Sequence, residues 1–233
     1  MKYLIELFFV FFVFCASAQK QADFSEIRIA PYFSTDFNTY SNNSLNDYLI
    51  NRNYFTSSNI LSNLSVGFSL RSINNPSIFA VSFCRGASLI EEPGNNSLLE
   101  SNGIRFEFLW DLIKNEKWLI APCIGVKSSN YKFIAVSRDV FSPLTGNNLE
   151  ECAQMLSKNI FSAGFQFDRQ ISIRFVNIHL GFQTFYNLNI GDNSWYGSNQ
   201  QRLANMPTIN LSGVSLGFYS RIELNPFKIQ TKK

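Results

Sequence analysis

The chain has 233 residues, of which 45% are hydrophobic and only 16% are charged, with a net charge of +3. Soluble domains usually carry about 25% charged residues. The small net charge and the scattered Lys and Arg residues exclude a nucleic-acid-binding protein. After residue 20, no stretch approaches the roughly 18 apolar residues of a transmembrane helix. A membrane-spanning form of this chain would therefore be built from strands.

The first residues have the pattern of a secretory signal peptide. Lys2 gives a positive start, the apolar run Leu4–Phe14 is interrupted by Glu6, and the sequence ASA at 16–18 has the small-x-small form of a cleavage site. We predict a cleaved signal peptide at 1–18 and a mature domain at 19–233. The alternative is a retained membrane anchor, which the short apolar run disfavours. Cys15 follows a large Phe, so we expect no lipid anchor.

Large apolar residues alternate with small polar ones in NLSVGFSL at 63–70. This period of two is typical of a β-strand with one apolar face, and it recurs along the mature chain. We predict eight strands, at 24–33, 59–72, 77–87, 101–113, 117–128, 159–168, 174–188 and 208–224. Most are about ten residues long, as a tilted membrane strand requires, whereas strands of soluble proteins average five or six.

The predicted connections alternate between long and short. The long loops are 34–58, 88–100, 129–158 and 189–207, and the short turns are 73–76, 114–116 and 169–173. In an up-and-down barrel, this alternation places all long loops at one end and both termini at the other, as in outer-membrane barrels. Trp110 and Trp118 flank the same short turn on the apolar face. We predict that they lie at the periplasmic interface; the alternative is a pair of core tryptophans in a hairpin.

The signal peptide, the eight alternating segments, the loop asymmetry and the two tryptophans resemble those of the small eight-stranded bacterial outer-membrane β-barrel proteins. The resemblance implies an all-β, antiparallel up-and-down transmembrane barrel, with its apolar face toward lipid and its polar face filling the lumen. Many such proteins end in an aromatic residue, whereas this chain ends FKIQTKK at 227–233. The alternative is a secreted soluble β-sandwich or ligand-binding barrel.

Phasing each strand by its apolar face assigns charged residues to the lumen. The predicted polar network consists of Glu26, Arg28, Arg71, Arg105, Glu107, Asp111, Asp168, His179, Arg221 and Glu223. We expect mutual salt bridges that neutralise a poorly hydrated interior; the alternative is a proton or solute path. Opposite charges on the first and last strands predict that Glu26 lies near Arg221, or Arg28 near Glu223, where the barrel closes.

Nothing in the pattern assigns catalysis. His179 is the only histidine, so we expect no His-rich metal site, and we expect no cofactor. Acyl transfer requires a nucleophile, a base and an orienting acid. In the lipid-modifying enzymes among the barrels that this chain resembles, the base usually faces lipid at the outer-leaflet end. His179 is predicted to face inward in the periplasmic half, and Ile178, Leu180 and Gly181 supply no hydroxyl.

Two loop segments have helical spacing of apolar residues, at 44–55 and 149–156. Cys84 and Cys123 are predicted to be small strand residues, and Cys152 is predicted to lie in a loop. Three widely spaced cysteines form neither a disulfide framework nor a metal site. The alternative is a single disulfide among them.

These observations predict a non-enzymatic protein of the bacterial outer membrane, with a structural or surface-binding role. The expected partners are outer-membrane lipid, the barrel-assembly and periplasmic chaperone machinery, and a surface ligand bound through the four long loops. The loops are rich in Asn, Ser and Tyr, a composition that specifies no particular ligand. The alternatives are a narrow channel for small or hydrophobic solutes and a lipid-modifying enzyme.

Overall fold

A computed structural model describes residues 27–72, 76–88, 97–113, 117–135, 151–173, 176–191, 194–197, 201–203 and 206–224. The side chains of residues 72, 151–157 and 224 are excepted. The predicted signal peptide and Glu26 lie outside the described residues. Among the residues that are described, no helix combines the length and the hydropathy needed to cross a membrane.

Eight antiparallel strands form a closed barrel in chain order, with β1 paired to β8. The strands are β1 (Ile27–Thr39), β2 (Ile60–Ser72), β3 (Ser77–Ser88), β4 (Leu98–Trp110), β5 (Trp118–Ala135), β6 (Glu151–Ile173), β7 (Val176–Ile190) and β8 (Gly213–Leu224). The predicted all-β, eight-stranded up-and-down barrel is confirmed. One helix, α1 (Asn43–Asn51), lies between β1 and β2, as its helical spacing predicts.

Strand ends differ most from the prediction at the side of the long loops. β5 continues to Ala135 and β6 begins at Glu151, so the helix predicted at 149–156 is wrong over 151–156. Cys152 also lies in a strand and not in a loop. Met155 pairs with Tyr131 of β5, and this ladder satisfies backbone groups that a helix of eight residues would hold only marginally.

The long and short connections alternate as predicted, but their limits change. The long connections are 40–59, 89–97, 136–150 and 191–212, and the short ones are 73–76, 111–117 and 174–175. The predicted loops 34–58, 88–100, 129–158 and 189–207 had therefore included strand residues. All short turns lie at the end that holds the start of β1 and the end of β8, which we call the periplasmic end. The opposite end is the extracellular mouth.

The two faces of β2 show what the alternation in NLSVGFSL means. Asn63, Ser65 and Ser69 are buried in the lumen, whereas Phe68 is 62% exposed on the outside. Leu216 of β8 is 58% exposed in the same way, and large apolar side chains recur on the outer face of all eight strands. Soluble monomers rarely expose an apolar surface that extends around the whole molecule. The barrel is therefore of the membrane-spanning type, and neither soluble alternative fits it.

Glycines on the inward face bring neighbouring strands close together. A Cβ at Gly67 would overlap the carbonyl oxygen of Val81, and one at Gly217 would overlap that of Thr35. Backbone atoms cannot yield to a side chain as a flexible group can, so both positions require glycine. The polar face of β2 is thus composed of residues small enough for a narrow lumen.

Aromatic and basic side chains mark the periplasmic edge of the apolar outer surface. Trp110 and Trp118 are 46% and 52% exposed and flank the connection 111–117. The guanidinium carbon of Arg169 lies 5.5 Å from the centroid of the Trp118 ring. Amphipathic rings and basic groups favour the membrane–water interface. We therefore expect this edge to lie at the membrane interface, which predicts the approximate depth of neighbouring residues in the bilayer.

Phe165 and Ile173 provide a matched test of that depth, because each lies on the outer face of β6, four residues from Arg169 in opposite directions. Phe165 lies about 10 Å into an apolar band about 25 Å tall. We expect Phe165→Arg to reduce the free energy of unfolding in phospholipid vesicles by about 2–4 kcal/mol, and Ile173→Arg by about 0–1 kcal/mol. Equal losses in urea titrations would show that the membrane boundary lies elsewhere.

Candidate functional site

Two ion pairs line the lumen at the periplasmic end. Arg71 Nη2 lies 3.0 Å from Asp111 Oδ2, and Arg28 Nη1 lies 3.4 Å from Glu223 Oε2. The arginine side chains are 20% and 24% exposed, whereas both carboxylates are buried. This layer therefore places its positive charges toward water and its negative charges toward the interior.

Directly above, a buried network surrounds His179. Its Nδ1 lies 3.1 Å from Asp168 Oδ1, and its Nε2 lies 3.5 Å from Glu223 Oε1. Arg221 lies between the same two carboxylates, with Nη2 3.4 Å from Asp168 and Nε 3.4 Å from Glu223. The Tyr219 hydroxyl donates a hydrogen bond of 2.7 Å to Asp168 Oδ2. We call these five residues the His179 network.

The closing register brings Arg28 and Glu223 together, which is one of the two alternative pairs; the other alternative includes Glu26, which lies outside the described residues. Arg28 and Glu223 form an ion pair, but Arg221 lies opposite Tyr32, well along β1 from the start of the strand. Arg221 instead contacts Asp168 and Glu223. The shear of the barrel, which depends on all eight pairings together, places it there.

A neutral layer crosses the lumen above the His179 network. Tyr32 donates its hydroxyl to Gln183 Oε1 at 3.0 Å, and Gln166 Nε2 donates to the same oxygen at 3.2 Å. Leu109 and Leu119 are 2% exposed and form an apolar patch on the inner wall. Side chains therefore occupy the middle of the lumen, as an eight-stranded barrel permits.

A second charged layer, which we call the upper charge layer, lies toward the extracellular mouth. Arg105 Nη2 lies 2.7 Å from Asp36 Oδ2, and Arg105 Nη1 lies 3.8 Å from Glu107 Oε1. Lys127 Nζ donates to Asn63 Oδ1 at 3.1 Å. All five side chains are buried. The described members of the sequence-predicted set thus divide between the periplasmic ion pairs, the His179 network and the upper charge layer, and do not form one network.

Two charged residues of the upper layer are absent from the predicted set. Asp36 lies in the part of β1 beyond Phe33, where the prediction placed a loop. Lys127 lies inside the predicted fifth strand and alternates in phase with buried Cys123. The period-two phase could have identified Lys127, whereas Asp36 required the true length of β1.

Apolar residues from the strands and the folded loops fill the extracellular mouth. Leu45 and Leu49 of α1 and Trp195 of the last long connection are at most 1% exposed. The Trp195 ring lies 5.8 Å from that of Phe133, centroid to centroid, and its Nε1 donates to the Pro207 carbonyl at 2.9 Å. The remaining members of this mouth cluster are Tyr40, Leu61, Leu99, Tyr131, Ala135, Ile160, Ile209 and Leu211.

Hydrogen bonds hold α1 on the mouth. Asn46 and Ser57 exchange two bonds, of 3.1 Å and 3.0 Å, and Asn42 Nδ2 donates to the Ser57 carbonyl at 2.8 Å. The Tyr40 hydroxyl donates to the Ser58 carbonyl. Burial raises the pKa of Tyr40, so its hydroxyl keeps the proton that this bond requires. The first long connection is therefore a fixed surface.

His179, Cys84 and Cys123 are buried and do not line an open site in the described part of the chain. His179 and Asp168 have the geometry of a base and its orienting acid, but His179 is 1% exposed and its hydrogen-bonding partners there include no Ser, Thr or Cys. Cys84 and Cys123 carry free, buried thiols. No group of His, Cys, Asp and Glu among these residues is arranged to hold a metal ion.

Removing Arg221 tests whether the His179 network acts as one buried unit. We expect Arg221→Met to lower the free energy of unfolding by about 3–5 kcal/mol, because Asp168 and Glu223 then lose their shared cation. Adding Asp168→Asn should recover part of that loss. Urea unfolding in detergent micelles, followed by gel mobility, measures both.

The control for this test is Arg28→Met, because Arg28 is partly exposed where it pairs with Glu223. It should cost clearly less than Arg221→Met, because Glu223 keeps its contacts with Arg221 and His179 when Arg28 is removed. If the Arg221 and Arg28 variants lose the same stability, the His179 network does not depend on a buried shared cation.

Comparison with known proteins yields structural similarity only. No family model matches the sequence, and no curated protein matches it. Neisserial surface protein A is 12% identical at a TM-score of 0.40, with 84% of this chain and 96% of that chain covered. A major outer membrane protein from Thermus thermophilus is 7% identical at a TM-score of 0.43, with 84% of this chain and 98% of that chain covered. The outer membrane protease OmpT from Escherichia coli is 9% identical at a TM-score of 0.35, with 88% of this chain and 99% of that chain covered.

The assignment of fold rests on the barrel itself. Its eight strands close without an unpaired edge, its outer face is apolar and its long connections share one end. These are the properties of the small eight-stranded outer-membrane β-barrels that the sequence resembles, and this chain has their fold.

Proposed function

We propose that this protein is a non-enzymatic barrel of the bacterial outer membrane that binds a partner at the cell surface through its extracellular face. The proposal includes export with cleavage of residues 1–18, followed by insertion with the help of periplasmic chaperones and the barrel-assembly machinery. The observation that carries it is the combination of a filled lumen with an ordered loop surface at the mouth. A filled lumen leaves the loops as the part of the molecule available to a partner.

The packing of the lumen disfavours a channel. A conducting barrel requires a continuous wet path, whereas here the His179 network, the Tyr32–Gln183 layer, the upper charge layer and the mouth cluster follow one another along the axis. Each layer contains residues that are almost completely buried. Ion passage would require several of these layers to separate.

The position of His179 disfavours a lipid-modifying enzyme. An acyl chain in the outer leaflet reaches the outer face of the barrel near the mouth, whereas His179 points into the lumen close to the periplasmic end. Its two ring nitrogens already face Asp168 and Glu223. A structural role in linking β6, β7 and β8 accounts for this environment.

The surface of the first long connection favours binding. α1 exposes Asp47 and Ile50 to solvent, and the Arg52 guanidinium that follows lies 4.5 Å from the centroid of the Tyr48 ring. Because α1 is held by the mouth cluster and by the Asn46–Ser57 bonds, these groups are ordered before a partner arrives. Preorganisation reduces the entropy that binding must overcome.

The first test of this proposal is electrical. We expect the purified barrel, inserted into planar lipid bilayers, to show no sustained open current. Insertion is checked separately, by the resistance of the membrane-embedded barrel to added protease. Stable open steps from the unmodified barrel would support the channel alternative.

The second test locates the partner. A photo-crosslinking residue at Ile50, on the exposed side of α1, should give a reproducible adduct on intact cells. The matched control is the same residue at Leu112, which is 57% exposed at the periplasmic end. An adduct at Leu112 but not at Ile50 would place the contact on the other side of the membrane and contradict a surface-binding role.

A further inference from the structure

A small cavity separates the upper charge layer from the mouth cluster. Its volume is about 20 Å³, which is enough for one or two atoms the size of a water molecule. The polar side chains that line it are Asn38, Arg105, Lys127, Tyr131, Ser162 and Asn187, and apolar side chains of the mouth cluster cover it. The cavity thus combines cationic and apolar walls.

Lys127 is a buried cation without an adjacent counterion in the described residues. It is 4% exposed, and Asn63 Oδ1, at 3.1 Å, is its hydrogen-bond acceptor. No carboxylate of the described chain lies within 4.0 Å of its ammonium group. An ammonium group carries three donors, so two of them lack an acceptor among these residues. A buried charge in this condition is costly unless another group compensates it.

Arg105 contributes a further donor group that has no hydrogen-bond partner in the described part of the chain. Its Nη2 is bonded to Asp36, but its buried Nη1 has no hydrogen-bond partner in the described part of the chain, since the nearest oxygen of Glu107 is 3.8 Å away. The amide nitrogen of Asn63, which shares its oxygen with Lys127, is also buried without a partner there. The oxygens Glu107 Oε2 and Ser129 Oγ are also buried without a partner there, but neither residue lines the cavity, so the unpartnered groups of its lining residues are donors.

The polar side chains on the opposite side of the cavity are hydrogen-bonded to one another. Ser162 Oγ donates to Asn187 Oδ1 at 2.6 Å, and Asn187 Nδ2 donates to Asn38 Oδ1 at 2.8 Å. Asn38 Nδ2 in turn points to Asp36 Oδ2 at 3.4 Å. These side chains are therefore held within the wall. An occupant that accepts hydrogen bonds and carries negative charge would match the unpartnered donors of Lys127 and Arg105.

We infer that the cavity binds a small monovalent anion of the halide class between Arg105 and Lys127. A spherical anion accepts from several donors at once, supplies the counter-charge that Lys127 lacks, and tolerates the apolar side chains on the extracellular side of the cavity. The bound anion stabilises the layer on which the mouth cluster rests. This inference is independent of the proposed surface-binding role.

The test compares salts at matched ionic strength. The barrel is refolded in detergent with sodium chloride, sodium bromide or sodium gluconate, since gluconate is too large for the cavity. We expect the unfolding temperature to be a few degrees higher in chloride and bromide, with a saturable rise as chloride replaces gluconate. Lys127→Gln should lose this dependence, whereas Arg85→Gln, which changes an exposed outer residue, should keep it.

Bromide also provides a direct readout that does not depend on a variant that folds. Crystals of the unmodified barrel grown in sodium bromide should show an anomalous peak between the Arg105 guanidinium and the Lys127 ammonium. Equal unfolding temperatures in all three salts, or bromide peaks confined to the protein surface, would overturn the inference and leave water as the occupant.

Discussion

Closure of the sheet is the constraint on which the rest of this structure depends. A bilayer offers no hydrogen bonds to an unpaired strand edge, so every backbone group in the hydrocarbon must be paired within the protein. Pairing of β1 with β8 meets this requirement, and closure with eight strands sets the width of the lumen. Outside, the strands can be uniformly apolar. Inside, they must fill a narrow space with groups that satisfy one another.

The lumen meets that requirement in layers of different chemistry. The His179 network joins three consecutive strands, because Asp168, His179 and Arg221 come from β6, β7 and β8. The Arg105–Asp36 pair crosses the lumen between β4 and β1. Breaking a buried ion pair is strongly unfavourable, so these contacts oppose sliding of the strands past one another. Because the side chains of these ion pairs also occupy the space between the strands, the lumen is a packed interior.

The mouth cluster gives the extracellular end the character of a small soluble core. Leu45, Leu49 and Trp195 come from loops but are as buried as residues at the centre of a globular domain. Their packing converts two long connections into an ordered surface above the barrel. The upper charge layer lies directly below, and the unpartnered donors of Lys127 and Arg105 lie where apolar packing and charged packing meet.

The sequence by itself determined the features that have a local period. Alternation with a period of two identified eight strands, their outer faces and the inward phase of residues such as Arg105, His179 and Glu223, because successive side chains point to opposite sides of a strand. Strand length and the alternation of long and short connections distinguished a membrane barrel from a sandwich. The helical spacing at α1 was also readable, since a short amphipathic helix packs one face.

Only the tertiary structure decided which inward residues meet. The register at closure pairs Arg28 with Glu223 and places Arg221 opposite Tyr32, and no local pattern encodes this because shear is a property of the whole barrel. The extension of β6 over 151–156 depends on a partner strand, which overrode the helical spacing there. Asp36 lies in the lumen because β1 continues beyond Phe33, where its apolar pattern had predicted the end of the strand. The local sequence pattern predicts which face of a strand each side chain occupies, whereas contacts across the lumen depend on pairings between distant segments.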